Sequence, residues 1–260
     1  MSHILRLTTI QCQPFRGLFE ALKEVLTDCN IHFDAEGMKI LSIDSSHVAL
    51  VHNRLHAKNF QDYYCEKPFT IGVNVRNLFK LLKNITSDGT LTLFIDSHNR
   101  DELGIEIRNN SKGSRNELTY KLLDIDEEEI ELPPIDFDSV VTMPSAEFQN
   151  LCRNMCIISD ELEIKSVKNQ LILSCHSDFA NMSTTFSDNK EGSCVSFVRT
   201  TKDDVVYQGK FPMKFLLLFT KATSLSKTIE LYLKNDYPII LNYVIADLGE
   251  LKFGLSPKLD

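Results

Sequence analysis

An alternation with a period of two runs through Leu91-Thr92-Leu93-Phe94-Ile95, Ile229-Glu230-Leu231-Tyr232-Leu233 and Ile239-Ile240-Leu241-Asn242-Tyr243. That period of two reads as half-buried strand, and Glu36-Gly37, Ser87-Asp88-Gly89 and Asn109-Asn110 supply turns between such runs. Four segments break the pattern with a helical period: Pro14 to Leu26, Val73 to Asn84, Pro144 to Met155, and Pro212 to Ala222. Three of them open on proline, which suits a first helical turn.

Laid over one another without gaps, the four helices share one apolar template. Its first column is Phe15, Val75, Phe148 and Met213; three residues on come Leu18, Leu78, Leu151 and Leu216, followed by Phe19, Phe79, Cys152 and Leu217. An internal repeat of this kind decides architecture. Alternate helices are offset by 133 and 138 positions, so the chain reads as an α+β domain with two helices on antiparallel strands, duplicated. The boundary falls in a connector over Leu122 to Ser139, where Asp124, Asp126, Glu127, Glu128, Glu129 and Glu131 precede Pro133-Pro134. The expected division is 1–121, 122–139 and 140–260.

Each helix carries a second stripe, at positions i, i+4 and i+7. It comprises Arg16, Glu20, Lys23; Arg76, Lys80, Lys83; Gln149, Arg153, Cys156; and Lys214, Leu218, Lys221. Eight of the twelve are basic and one is acidic, although acids outnumber bases 36 to 28 and the chain carries a formal charge of −8. The stripe therefore holds +7, leaving −15 elsewhere. A solvated lysine face accounts for any single helix, but four agreeing helices point to a polyanion in front of them. If the helices line one side of a sheet that closes into a ring, the stripes face a central hole. Phosphates carry no sequence information, so such a surface binds any duplex and slides along it.

With 260 residues and 43% hydrophobic composition, the chain can bury one large or two ordinary cores. The N-terminus lacks the basic start and apolar core of a signal peptide and no apolar run approaches a membrane span, so a soluble, intracellular protein without membrane contact is expected. Seven scattered cysteines, Cys12, Cys29, Cys65, Cys152, Cys156, Cys175 and Cys194, fit reduced thiols and not a disulfide framework. Cys152 stands in the apolar column, so core packing accounts for it. His47, His52 and His56 lie in or beside a strand pattern without a closed ligand set, so no metal is expected. Glycine-rich phosphate loops, nucleophile elbows and paired-carboxylate motifs are absent, and the reading is a binding protein without cofactor, not an enzyme.

Six stretches resemble the eukaryotic-type DNA sliding clamp family of proliferating cell nuclear antigen, in the family's order: Leu41 to Val48 (LSIDSSHV), Gly72 to Val75 (GVNV), Lys121 to Asp126 (KLLDID), Met143 to Phe148 (MPSAEF), Phe219 to Thr223 (FTKAT) and Ile245 to Lys252 (IADLGELK). The resemblance covers nearly the whole chain. It implies a DNA clamp fold closing into a homotrimeric ring that encircles double-stranded DNA as a polymerase processivity factor. DNA polymerase, the clamp loader and other proteins with a clamp-binding motif are the implied partners. The seam between copies falls on the strand near Arg115 to Lys121 meeting the neighbour's segment near Asp178 to Phe186. A damage-checkpoint clamp subunit, or a processivity factor that works without a ring, stays open as an alternative. The nucleus is the implied location, or a cytoplasmic replication site if the chain is viral.

The family's DNA-facing positions fall on Lys23, Lys80, Lys83, Arg153, Lys214 and Lys221, all within the stripe; Lys121 and Arg115 are added by the resemblance alone, Arg16 and Arg76 by periodicity alone. The family's partner-peptide pocket falls on Ile43, His47, Val48, Leu50, Ile130, Leu132, Pro133, Pro238, Gly254, Ser256 and Pro257. Gly254 stands where the family usually has an aromatic residue, and Ser256 where it has a small apolar one. Lys168 takes the place of the family's modifiable surface lysine, where an ordinary exposed lysine is an equally good reading.

Overall fold

A computed structural model describes residues 3–126, 130, 135–187, 195–200 and 206–258. The chain divides into two compact units: Met1–Ser45 with Val51–Ile130 and Ile245–Leu251, and Ser46–Leu50 with Glu131–Val244 and Lys252–Asp260.

Along the first unit run β1 (His3–Thr9), α1 (Cys12–Val25), β2 (Asp28–Asp34), β3 (Gly37–Ile43), β4 (Ala49–His56), β5 (Asp62–Cys65), β6 (Phe69–Asn74), α2 (Val75–Leu82), β7 (Gly89–Asp96), β8 (Asn99–Asn109) and β9 (Ser114–Lys121). The second repeats that order: β10 (Ser139–Pro144), α3 (Ser145–Met155), β11 (Glu161–Val167), β12 (Gln170–His176), β13 (Asn181–Ser187), β14 (Ser196–Thr200), β15 (Val206–Pro212), α4 (Met213–Phe219), β16 (Thr228–Leu233), β17 (Ile239–Ile245) and β18 (Gly249–Leu255). The division between units passes through β4 and β18.

Sheet topology repeats as well. Strands order as β5-β1-β7-β8-β9 and β4-β3-β2-β6 in the first unit, and as β14-β10-β16-β17-β18 and β13-β12-β11-β15 in the second. Ladders are antiparallel, with Leu7 opposite both Tyr63 and Leu93, and Ile164 between Leu173 and Gly209. Strict alternation in β4 and β11 turns every second side chain inward, as a period of two requires.

The helices lie on these sheets through the predicted apolar faces. Phe15, Leu18, Phe19 and Leu22 of α1 are buried, as are Phe148, Leu151 and Cys152 of α3. Each large side chain so removed from water contributes about 1.5–3 kcal/mol. Truncating Leu18 to alanine would cost about 2–5 kcal/mol, because the space it leaves cannot fully collapse. In the second unit Phe219 stacks on Phe253 at 4.5 Å between ring centroids, and Tyr243 meets Phe253 edge-on at 6.2 Å.

All four helix starts differ from the sequence reading, α1 beginning at Cys12 and not at Pro14. Pro144 and Pro212 are not first-turn residues: each ends a strand at the cap position, with ψ of 128° and 121°. The fixed proline φ suits a cap as well as a first turn, so composition alone could not separate the two. Val73 belongs to β6, and Asn74 caps α2 by accepting from the Asn77 amide at 3.0 Å. Pro14 is the third residue of α1, in the first turn, where a missing N–H costs nothing. The amides opening α2, α3 and α4 find carbonyls outside their helices: Val75 on Thr27, Ser145 on Lys227 and Met213 on Asp160.

Candidate nucleic-acid interface and partner pocket

In the first unit the basic stripes of two helices come together. Gln13 Nε2 donates to the Ile85 carbonyl at 3.2 Å and an Arg16 guanidinium nitrogen to the Lys83 carbonyl at 3.3 Å. The Lys23 ammonium lies 4.9 Å from the Phe79 ring centroid. Rising numbers on α1 thus meet falling numbers on α2, so the helices pack antiparallel and their stripes adjoin. Arg76, Lys80 and Lys83 are exposed, and the only polar partner of these ammonium and guanidinium groups among the described residues is Asn77, 3.0 Å from Lys80 Nζ. Arg16 and Lys23 are half-buried and already engaged, Lys23 also pairing with Glu24 at 2.7 Å. They shape the surface more than they offer free charge to it. Phe79, from the third apolar column, is only half-buried, and its ring faces the Lys23 ammonium.

In the second unit α3 packs on α4 and on the 3₁₀ turn Thr220–Ser224. Gln149 Nε2 donates to the Thr220 carbonyl at 2.6 Å. Arg153, Lys214 and Lys221 are exposed, with the Lys214 ammonium 4.6 Å from the centroid of Phe215. The helix ends at Phe219, so Lys221 sits on tighter 3₁₀ backbone. Five helical steps and two wider ones still leave it within roughly 20° of Lys214 around the axis. The stripe survives the change, although Leu218 is half-buried within it.

Arg115 and Lys121 stand apart from the helices, on the edge strand β9. Arg115 pairs with Glu106 at 2.6 Å and with Glu117, while Glu106 also takes Arg108 at 2.5 Å. Its charge is committed to two carboxylates. Lys121 is exposed at the strand's end.

The start of the connector is strapped to the first unit. Leu122 donates to the Asp101 carbonyl and Leu123 to that of Gly72, both at 2.9 Å, and Asn30 Nδ2 lies 3.3 Å from the Ile125 carbonyl. Gly72 permits the approach, since a Cβ there would stand 2.3 Å from the Leu123 carbonyl oxygen. An open cavity of about 320 Å³ is lined by His32, Leu41, Ile43, Asp44, Ile125 and Ile130, which brings Ile43 and Ile130 of the expected pocket together. Leu132 and Pro133, with Glu127, Glu128, Glu129, Glu131 and Pro134, lie outside the described residues, as does Cys194.

Other pocket residues gather in the second unit. The Ser256 amide donates to the Val48 carbonyl at 3.3 Å, setting the C-terminal segment beside residues 46–50. A Cβ at Gly254 would stand 3.2 Å from Leu50 Cβ and 3.3 Å from Ile240 Cδ1. Leu50 and Ile240 thus fill the space beside Gly254 that a side chain there would need. Val48, Leu50, Pro238, Ile240 and Pro257 are half-buried, and His47 is exposed with φ of 54°. Ile240 was not among the sequence candidates; the alternation of β17 carried that signal. Lys168 also has positive φ, 53°, in the turn between β11 and β12.

The thiols sort by burial, which pushes Cys12 up to about 11 and Cys29 and Cys152 up to about 12. Among the described residues no three His, Cys, Asp or Glu side chains are grouped to hold a metal ion.

The family model described as proliferating cell nuclear antigen, N-terminal domain matches residues 5–130, and that for the C-terminal domain matches 131–258. The chain is 35% identical over 260 residues to a probable DNA polymerase sliding clamp 1 of Paramecium bursaria Chlorella virus 1, covering 98% of this chain and 97% of that one. It is 31% identical over 247 residues to the proliferating cell nuclear antigen of Caenorhabditis elegans, covering 94% and 93% respectively. With both family domains matched in order across nearly its whole length, this chain belongs to the proliferating cell nuclear antigen family.

Proposed function

We propose that this protein is a DNA sliding clamp: a non-enzymatic platform that encircles duplex DNA and holds a DNA polymerase to its template. The observation that carries this reading is the duplicated unit with a basic helix pair in each copy, in a chain whose charge is otherwise negative. Exposed cations on paired helices attract phosphates of any sequence, and the remaining negative charge repels DNA from other faces. A relative's name as a DNA polymerase sliding clamp supports it.

Ring closure as a homotrimer has a topological rationale. By element order β9 and β13 correspond to β18 and β4. Within the first unit, Asn53 of β4 donates through Nδ2 to the carbonyl of Glu250 in β18 at 2.8 Å. Among the described residues β9 and β13 each have one strand neighbour, so the corresponding pairing is open to a second copy. Head-to-tail contacts of this kind close by rotation. Domains at 1–121 and 140–260, joined by the connector at 122–139, are part of the same proposal.

On this reading the DNA-facing groups are led by Arg76, Lys80, Lys83, Arg153, Lys214 and Lys221. The partner pocket is built on the second unit's Val48, Leu50, Gly254 and Ser256, with Pro238 an expected member. Clamp loader and polymerase dock there through apolar anchors, each contributing about 1.5–3 kcal/mol. The protein acts where DNA is replicated, in the nucleus or at a viral replication site. Light scattering gives the test: a mass three times the chain's, with processive synthesis by a cognate polymerase on circular primed DNA, is the expected result. A stable monomer that stimulates synthesis would favour a processivity factor without a ring, an obligate mixed complex would favour a checkpoint-type subunit, and intrinsic nuclease or ATPase turnover would end the non-enzymatic reading.

A further inference from the structure

Three bonds fix the C-terminal segment within the second unit. Ser256 donates its amide to the Val48 carbonyl at 3.3 Å; two residues later, Lys258 donates its amide to the Lys210 carbonyl at 2.8 Å. The Lys258 ammonium also forms an ion pair with Glu161. Ser256 and Pro257 therefore hang between an anchor on the turn before β4 and a double anchor on β15 and β11. Glu161 and Lys210 also line a small open cavity of about 210 Å³ with Ser159, Glu163 and His176, so the double anchor borders open space.

The side chains of Lys258 and Glu161 are 52% and 40% exposed. An ion pair so open to solvent contributes little to global stability. Its consequence is positional: it determines where the two preceding residues lie. We propose that Lys258 and Glu161 form an electrostatic latch that positions the C-terminal wall of the partner pocket, so that partner affinity depends on a pair that need not touch the partner. The proposal rests on the pocket reading above. When the latch is open, the wall residues must be ordered during binding, and that cost is subtracted from affinity.

The test uses the full-length protein and a dye-labelled clamp-binding peptide from a replicative DNA polymerase, with dissociation constants measured by fluorescence anisotropy. Lys258→Ala and Glu161→Gln are each expected to weaken binding about two- to five-fold at low salt, the span of an exposed ion pair. The loss should shrink as salt rises toward about 1 M, where screening shortens to about 3 Å. Exchanging the charges, Glu161→Lys with Lys258→Glu, should recover affinity, which a merely structural role for either side chain would not do. A Val48→Ala/Leu50→Ala variant is the control for the pocket. If that control loses the peptide while both latch variants bind like the parent, the latch is wrong and the pocket stands. If the exchange fails to recover affinity, the pairing is equally overturned. If the control itself binds normally, the pocket reading falls and takes the latch with it.

Discussion

Gln149 on α3 donates its side-chain amide to the carbonyl of Thr220 at 2.6 Å, and Arg16, 133 positions earlier on α1, makes the matching bond to the carbonyl of Lys83 at 3.3 Å. In each unit the residue that opens the first helix's stripe spends its polar group on the end of the second helix. The dipole at a helix C-terminus favours a donor, and the Thr220 carbonyl also accepts from the Thr223 hydroxyl at 2.7 Å. The charge of Arg16 is therefore dispensable where its hydrogen bond is not.

Replacing Arg16 with glutamine should keep the helix clasp. Stability in urea is expected to stay within about 0.5 kcal/mol of the parent, whereas Arg16→Ala should lose about 1 kcal/mol. DNA retention should fall less in Arg16→Gln than in Lys80→Ala. Equal losses in the two variants would show that Arg16 acts as a phosphate ligand after all.

The exposed cations carry the opposite expectation. Combining Lys80→Ala, Lys83→Ala, Lys214→Ala and Lys221→Ala should leave the folded mass in solution unchanged while weakening DNA retention. Retention measured against salt should also become less steep, by up to about 0.9 in log–log slope for each phosphate no longer neutralised. An unchanged slope would remove these four residues from the DNA surface.

Local signals made the helices legible from sequence, because Phe15, Leu18 and Phe19, or Phe148, Leu151 and Cys152, reveal a buried face by spacing alone. Information that depends on distant neighbours was not legible. Lys23 reads as one more free cation until the antiparallel packing brings Phe79 beneath it. Arg115 looks like a phosphate ligand until the β8–β9 register sets it beside Glu106 and Glu117. Pro144 and Pro212 mark helix starts correctly to within one residue, but their fixed φ serves cap and first turn alike. Among the described residues, Ile43 and Ile130 are the members of the expected pocket that line the cavity beside the connector; Val48, Leu50, Gly254 and Ser256 gather in the other unit.

Gly254 offers a test of packing within that group. Gly254→Ala would put a methyl group 3.2 Å from Leu50 Cβ and 3.3 Å from Ile240 Cδ1, so a neighbour must shift. Overpacking of this kind costs about 1–3 kcal/mol. The double variant Gly254→Ala/Ile240→Val removes the Cδ1 methyl and should recover part of the loss in urea denaturation. No recovery would mean that Leu50, and not Ile240, resists the added methyl.

Buried thiols predict how the fold responds to alkali. Cys12, Cys29 and Cys152 are raised from 9.0 to about 11, 12 and 12, chiefly because burial penalises the thiolate. Below pH 9 both folded and unfolded chains keep these protons, and the stabilising contribution is fully present. Between about pH 9 and 12 the unfolded chain releases protons that the folded chain retains, so stability falls as pH rises, by up to about 1.4 kcal/mol per pH unit for each group. Cys152→Ala should flatten the alkaline slope by its share, while leaving a cavity cost that does not vary with pH. An identical slope in parent and variant, measured by urea denaturation from pH 8 to 11, would show that Cys152 does not retain its proton in the folded core.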